Sequence, residues 1–223
     1  MPDVRFEIPV RDKSVSAIQT SPDKDPRFTF VYAPGAGSNI NDPFGEYLSS
    51  RLPAVGASLV RFQFPYMEAG RRGPDRPPLL EETWLAVLDR VRSDSAKLVV
   101  GGRSMGGRIA SHVVSQGAKV DGLALFAYPL KPPRNPSRIP KIARDEHLIT
   151  IDIPTLFCSG TRDTFATPED LMTVAGKMNN AEFQKLEGAD HGFSVLKSSG
   201  MTRDDVWREA ADAMLGWVQG FAP

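Results

Sequence analysis

The sequence has few of the residues that build disulfides and metal sites. It contains one cysteine, Cys158, among 223 residues, so an internal disulfide is excluded. It contains three histidines, and it has neither a CxxC pair nor a Cys/His cluster at metal-ligand spacing. Cys158 lies in the apolar stretch TLFCSG, a context that is typical of a small buried hydrophobe. We therefore expect no metal site.

Net charge and long apolar runs are also missing. Lys plus Arg and Asp plus Glu both number 27, so the chain lacks the basic excess of a protein that binds nucleic acid or an anionic membrane. The N-terminal stretch MPDVRFEIPV does not resemble a signal peptide, and no apolar run approaches the roughly 18 residues of a membrane span. These absences predict a cytoplasmic protein with neither a nucleic-acid nor a membrane partner.

Short apolar runs alternate along the chain with amphipathic helical patterns. Several inner runs are apolar on both faces, as expected of strands that helices cover on both sides. This alternation predicts an α/β fold with a doubly wound, mainly parallel sheet of about eight strands. No helix separates the first two strands, so we expect them to form an antiparallel edge. No linker divides the chain, and we expect one domain over residues 1–223. The strand candidates are 5–10, 14–20, 27–33, 57–64, 97–102, 122–128, 155–160 and 181–188. The helix candidates are 43–53, 81–93, 107–116, 168–178 and 204–219.

The second helix candidate has the clearest amphipathic pattern. Two glutamates at its start, Glu81 and Glu82, would complement the positive end of the helix dipole. The apolar stripe predicted to face the core consists of Trp84, Leu85, Leu88 and Val91.

A glycine-rich stretch, GGRSMGG, joins a strand candidate to the third helix candidate. Residues 102–106 read G-R-S-M-G, which fits the G-x-S-x-G pattern of a nucleophile elbow. In such a turn the serine is lifted above the sheet edge. The residues two before and two after it lie so close to neighbouring backbone that only glycine fits. The pattern predicts Ser104 as a nucleophile. The alternative is a glycine-rich turn with an idle serine, because so short a motif also occurs by chance.

The base that would activate Ser104 must be one of the three histidines. A serine hydroxyl is a poor nucleophile near neutral pH, so an imidazole has to take its proton and a carboxylate has to orient that imidazole. His112 lies on the helix after the serine and is expected to be a packed or surface residue. His147 precedes the best acid candidate, which is the wrong chain order, and we expect a structural or substrate-side role. His191, in the loop GADHGFS after the last strand, is the predicted base.

The acid is expected at the carboxyl end of the strand before that histidine. Asp163, in the stretch TRD after TLFCSG, meets this condition and leaves room for one helix and one strand before His191. Asp152 precedes the strand, at its wrong end. Asp170 lies in the next helix, where a dipole role suffices, and Asp190 is expected to point away from the site.

Backbone amides can stabilise the negative oxygen that forms during acyl transfer. One such donor would be Met105, directly after the nucleophile. The other would come from the loop YAPGAGSN after the third strand, where we choose Ala36. Gly35 and Gly37 would let this backbone approach a substrate closely. The alternative is a glycine-rich loop without chemistry.

Arginines near the predicted loop ends are candidates for binding a substrate carboxylate or phosphate, since a guanidinium pairs well with both. Arg103 comes first because its position next to Ser104 is fixed, and Arg162 adjoins Asp163. The alternative is solvated loop charge with local salt bridges. The other arginines of this kind are Arg71, Arg72 and Arg76.

These segments together resemble the α/β-hydrolase superfamily over nearly the whole chain. The stretches PGAG, GRSMGG, GTRD and DHGF follow each other in the order of that family. GGRSMGGR, YPLKPP, RDEHL and GTRD resemble its small dienelactone-hydrolase-like branch. Within that branch the similarity is to the hydrolase-like domains named for a subunit of the NSL histone-acetylation complex and for a testis-expressed protein. The resemblance implies a triad of Ser104, Asp163 and His191, with Ala36 and Met105 as oxyanion donors. Dienelactone hydrolases proper use a cysteine nucleophile, so the serine argues against dienelactone as substrate.

The sequence predicts a serine hydrolase that cleaves small ester, thioester or related acyl substrates through an acyl-enzyme on Ser104, without a cofactor. The connection 129–154 is too short for a helical lid domain, which favours an open cleft and compact substrates. One alternative is a non-catalytic binding or scaffold module on a hydrolase fold. Another is a triad peptidase or a carbon–carbon hydrolase. The expected partner is a small acyl compound, and the protein could be a monomer or a homodimer.

Overall fold

A computed structural model of the chain describes residues 3–92, 96–131 and 145–221. In these ranges eight strands form one sheet, and six α-helices and short 3₁₀ turns connect them. The strands are β1 (Val4–Val10), β2 (Lys13–Thr20), β3 (Phe28–Ala33), β4 (Ala57–Phe62), β5 (Lys97–Arg103), β6 (Gly122–Phe126), β7 (Thr155–Gly160) and β8 (Ala181–Leu186). The helices are α1 (Pro43–Arg51), α2 (Pro65–Glu68), α3 (Pro77–Val91), α4 (Met105–Ser115), α5 (Pro168–Ala175) and α6 (Arg203–Gln219). No helix in the described ranges is long and apolar enough to cross a membrane.

The sheet has the strand order β1-β2-β4-β3-β5-β6-β7-β8. β1 pairs antiparallel with β2, and β2 pairs antiparallel with β4. Every other neighbouring pair is parallel. The predicted doubly wound, mainly parallel sheet with an antiparallel edge is confirmed. The chain runs from β3 outward to β4 and then returns to the other side of β3 as β5. In open α/β sheets ligands bind beyond the carboxyl ends of the strands at such a switch point.

Helices cover both faces of the sheet and divide the core into two layers. The side chains of α3, α4 and α5 pack on one face, and those of α1 and α6 pack on the other. The strands β3, β4, β6 and β7 are buried along their whole length, as their two apolar faces predict. Cys158 on β7 is 1% exposed, and burial raises the pKa of its thiol, so its predicted packing role is confirmed.

Helix α3 begins four residues before the position that its two glutamates indicated. Pro77 occupies the first helical position, where the missing N–H costs nothing, so Glu81 lies in the second turn. The buried stripe contains Leu80 and Val87 beside Trp84 and Leu88. The prediction that Leu85 faces the core is wrong, since this side chain is 46% exposed.

The connection between β6 and β7 is the segment that we expect to be too short for a lid domain. Residues 132–144 of this connection lie outside the described residues. On one side of them the amide of Lys131 donates a hydrogen bond of 2.8 Å to the carbonyl of Phe165. On the other side residues 148–150 form a 3₁₀ turn. Lys131 therefore lies close to the segment that follows the carboxyl end of β7, whereas the residues up to Pro154 lead into the amino end of that strand.

Candidate active site

Ser104 lies between the last residue of β5 and the first residue of α4. Its backbone has φ 51° and ψ −114°, a sparsely populated conformation for a residue with a side chain. Such a conformation costs on the order of 1–3 kcal/mol and persists only where the surroundings hold it. The amide of Ser104 donates a 2.8 Å hydrogen bond to the carbonyl of Phe126, which ties the turn to the end of β6. The turn therefore projects the hydroxyl beyond the sheet edge.

The glycines two residues before and after Ser104 lie against the same carbonyl. A Cβ on Gly102 would lie 2.1 Å from the oxygen of Ala33, and a Cβ on Gly106 would lie 2.2 Å from it. Carbon and oxygen cannot approach so closely, and backbone cannot yield as a flexible side chain can. The steric reason predicted for these two glycines is confirmed.

Ser104, His191 and Asp163 form a continuous chain of hydrogen bonds. His191 Nδ1 lies 2.8 Å from Asp163 Oδ2, and His191 Nε2 lies 2.9 Å from Ser104 Oγ. An ionised carboxylate can only accept, so the proton of a neutral His191 lies on Nδ1. Nε2 then accepts a hydrogen bond from the serine hydroxyl. The unprotonated Nε2 of His191 therefore faces the hydroxyl proton of Ser104.

Asp163 is held rigidly at the end of β7. It is 3% exposed, and its Oδ1 accepts a 2.8 Å hydrogen bond from the amide of Phe165. Ser159 donates a further hydrogen bond of 3.3 Å to Oδ2. The ring of Phe165 packs on His191 at 4.3 Å between centroids. These contacts fix the carboxylate and leave one edge of the imidazole open to the site.

The loop that carries His191 is fastened on both sides of the histidine. Asp190 Oδ1 accepts hydrogen bonds from the amides of Gly192 and Ser194, at 2.9 and 2.8 Å. This carboxylate therefore organises the loop, in agreement with the expectation that it points away from the site. Phe193 is fully buried and packs edge-on against Phe44 at 5.4 Å.

Gly160, the last residue of β7, is a further requirement of this geometry that the sequence analysis missed. A Cβ there would lie 2.1 Å from the carbonyl oxygen of Ala189. The bare glycine lets the His191 loop close over the end of β7, which brings His191 to Asp163. Its position at the end of an apolar strand was the available signal.

Met105 and Ala36 are the two residues whose backbone amides the sequence analysis selects as oxyanion donors. Both residues line the same cavity as Ser104 and His191. In the described part of the chain neither of their amides donates to a protein acceptor. Gly35 adjoins them, since a Cβ on it would lie 3.5 Å from Ser104 Cβ. It is buried and does not line the cavity.

The cavity beside Ser104 has a volume of about 470 Å³. Its wall is mostly apolar, and two charged residues, Asp75 and Arg108, contribute to it. The remaining lining residues are Ala36, Pro74, Pro77, Leu80, Ser104, Met105, Pro129, Phe165 and His191. The wall of the cavity therefore combines a mostly apolar surface with one acidic and one basic residue.

The two arginines proposed from the sequence for substrate binding lie outside this lining. Arg103 forms an ion pair of 3.3 Å with Asp42, which is 1% exposed. Asp42 also accepts hydrogen bonds from Tyr32 and Ser38, so it joins the elbow to the loop after β3. The side chain of Arg162 donates to the carbonyl of Gly188 at 3.2 Å. These contacts favour structural roles for both arginines.

The other two histidines, His112 on α4 and His147, pack against each other. The rings of His112 and His147 are 4.3 Å apart. His147 Nε2 lies 2.8 Å from Ser111 Oγ. The pKa of His147 is lowered to about 4, chiefly by burial and to a smaller extent by nearby His112 and Arg108. The expected structural role of His147 agrees with this packing. In the described ranges no group of three His, Cys, Asp or Glu side chains could hold a metal ion.

Comparison with known proteins agrees with this architecture. A family described as alpha/beta hydrolase domain matches residues 26–219. A serine hydrolase homologue from Coxiella burnetii is similar at TM-score 0.76 and 20% identity, with 100% of this chain and 99% of that chain covered. A serine hydrolase without a lid from Xanthomonas campestris has TM-score 0.74 and 15% identity, over 100% and 97% of the two chains. A putative dienelactone hydrolase from Klebsiella pneumoniae has TM-score 0.73 and 17% identity, over 99% of each chain. The chain belongs to the α/β-hydrolase domain family.

Proposed function

We propose that this protein is a serine hydrolase that cleaves small esters, thioesters or related acyl compounds through an acyl-enzyme on Ser104. The observation that carries the proposal is the hydrogen-bonded chain from Ser104 through His191 to the buried carboxylate of Asp163. Serine, base and orienting acid within hydrogen-bond reach are the requirements of nucleophilic catalysis by serine.

Acylation follows from the tautomer that Asp163 imposes. Ser104 Oγ attacks the acyl carbon while His191 Nε2 takes the hydroxyl proton. The imidazolium formed is stabilised by the Asp163 carboxylate at 2.8 Å. When the tetrahedral intermediate collapses, Nε2 returns the proton to the leaving oxygen or sulfur. The alcohol or thiol departs and the acyl group stays on Oγ.

The amides of Met105 and Ala36, which donate to no protein acceptor among the described residues, would stabilise the oxyanion in both steps. Donors fixed before the reaction contribute about 3–4 kcal/mol each to lowering the barrier, because they need no reorganisation. In deacylation His191 Nε2 takes a proton from water, whose oxygen attacks the acyl carbon. The same nitrogen then returns the proton to Ser104 Oγ, and the carboxylic acid leaves.

The proposal is tested with a panel of p-nitrophenyl esters of increasing acyl-chain length. The release of p-nitrophenolate is followed by its absorbance. We expect turnover of the short esters, and we expect Ser104→Ala to lower kcat by at least about 1,000-fold, as removal of a triad nucleophile does. Ser115→Ala is the matched control, since Ser115 lies at the far end of α4, the helix that follows Ser104, and its hydroxyl donates to the carbonyl of His112. Equal rates for wild type and Ser104→Ala would exclude Ser104 as nucleophile.

A further inference from the structure

Arg108 lines the cavity and carries a charge that pairs with no carboxylate in the described part of the chain. It lines the cavity together with Ser104 and His191, and it is half-buried. None of the ion pairs formed among the described residues includes it. The other charged residue in the wall, Asp75, pairs with Arg71 through Oδ1, and its Oδ2 is buried without a hydrogen-bond partner among the described residues. The mostly apolar wall of the cavity therefore carries one guanidinium that forms no ion pair with the described carboxylates.

The guanidinium of Arg108 is also held in place by a neighbouring imidazole. Its Nη1 lies 3.3 Å from Nε2 of His112, and Nδ1 of the same ring lies 3.1 Å from Glu81 Oε1. A guanidinium can only donate and a carboxylate can only accept, so a neutral His112 donates from Nδ1 to Glu81 and accepts at Nε2 from Arg108. This contact uses one of the five N–H groups of Arg108, and the imidazole of His112 separates the guanidinium from the carboxylate of Glu81.

The position of Arg108 on α4 sets the distance at which it can act. Its amide donates to the carbonyl of Ser104 at 3.0 Å, so the two residues are separated by one helical turn. One turn is about 5.4 Å along the axis. A group bound by Arg108 would therefore be separated from the scissile carbonyl by a short chain.

We propose that Arg108 is a specificity-determining residue that binds a carboxylate carried by the substrate, so that the preferred substrates are short acyl esters with a free carboxylate. This inference rests on the proposed hydrolase function and adds the class of substrate. A planar guanidinium with free N–H groups pairs with a carboxylate through two parallel hydrogen bonds. The apolar wall of Leu80, Pro77 and Phe165 would strengthen that pairing by excluding water, and it would contact the chain between carboxylate and ester.

Matched pairs of acid and amide test the inference on both sides of the ester. Monoethyl glutarate and ethyl glutaramate carry the test group on the acyl side, and 4-acetoxybenzoate and 4-acetoxybenzamide carry it on the leaving group. We expect the wild type to hydrolyse the acid of at least one pair with a tenfold or greater advantage in kcat/KM. Arg108→Gln should lower that advantage at least tenfold, and Arg108→Lys should retain part of it. Arg162→Gln, the control, should leave it within twofold. Equal kcat/KM for acid and amide in both pairs, or the same ratio in Arg108→Gln as in wild type, would overturn the inference.

A binding measurement separates this inference from the proposed function. Titration calorimetry with glutarate should show binding to the wild type that is at least fivefold weaker in Arg108→Gln and unchanged in Arg162→Gln. Binding that depends on Arg108 without hydrolysis of any ester would contradict the hydrolase function and support the carboxylate site. Ester hydrolysis with glutarate affinity that is equal in wild type and Arg108→Gln would contradict the carboxylate site alone.

Discussion

At the scale of single residues, the site depends on which nitrogen of His191 carries the proton. Asp163 settles this because it is buried and accepts from Nδ1 at 2.8 Å. Its other oxygen is occupied by the amide of Phe165, so the carboxylate cannot turn away without losing a hydrogen bond. The basic nitrogen therefore faces Ser104.

Asp163→Asn tests this dependence. The amide is nearly isosteric, but its NH₂ group can donate to Nδ1, which would move the histidine proton to Nε2 and remove the base. We expect kcat to fall by about 10³–10⁴-fold, as loss of the correct tautomer does in other triads. The measurement is kcat with p-nitrophenyl acetate, with circular dichroism to confirm the fold. Activity within tenfold of wild type would show that Asp163 does not orient His191.

From the sequence, the base and the acid are the predicted catalytic groups with the fewest candidates. Three histidines left few choices for a base, and the order of strands left few choices for an acid. Arg108 was missed, and Arg103 was preferred, because the chain position next to Ser104 does not reveal where a long side chain points. The buried partner Asp42, which pairs with Arg103, comes from a distant loop. Only the folded chain brings them together.

At the scale of elements, strand and helix types followed the sequence pattern, whereas helix ends and faces depended on packing. Helix α3 begins at two prolines, four residues before the start that Glu81 and Glu82 predict. Glu81 and Glu82 instead bond partners outside the helix, His112 and Arg11. Their role was set by tertiary contacts that no local pattern shows.

The contact between the end of β7 and the loop that carries His191 most directly positions this histidine. Gly160→Ala places a methyl group against the carbonyl of Ala189. We expect the free energy of unfolding to fall by about 1–3 kcal/mol through overpacking. We also expect kcat to fall at least tenfold because the His191 loop is displaced, since small shifts of reacting groups cost about 100-fold.

Gly216→Ala is the matched control for this variant. Gly216 lies in α6, and a Cβ there meets nothing within 4 Å. Alanine is favoured over glycine inside a helix by about 0.8–1 kcal/mol, so this variant should be slightly more stable and fully active. Urea unfolding and ester hydrolysis measure both effects. Equal stability and activity for the two glycine variants would exclude a steric role for Gly160.

At the scale of the whole molecule, the acid side of the stability profile should carry the signature of His147. Its pKa in the fold is lowered to about 4 from an ordinary value of 6.5. Between these two values the unfolded chain binds a proton that the folded chain does not bind. The free energy of unfolding should therefore decrease as pH falls from 6.5 toward 4. Because the ring is partly solvated, the contribution amounts to about 1–2 kcal/mol.

His147→Gln separates this contribution from other acid-sensitive groups. Glutamine does not titrate, and its amide can still bond Ser111. The decrease in the free energy of unfolding between pH 7 and pH 4.5 should be smaller in the variant than in wild type. Urea unfolding at a series of pH values gives the comparison. Parallel profiles for the two proteins would show that His147 does not titrate between these values.

The account as a whole depends on Ser104 being a nucleophile that the fold activates. The most direct measurement is reaction with a fluorophosphonate, followed by intact-protein mass spectrometry and peptide mapping. The account predicts one adduct per chain, located on Ser104 and absent from Ser104→Ala, with much slower labelling in His191→Ala. An unmodified wild-type protein, or an adduct that persists in Ser104→Ala, would contradict it.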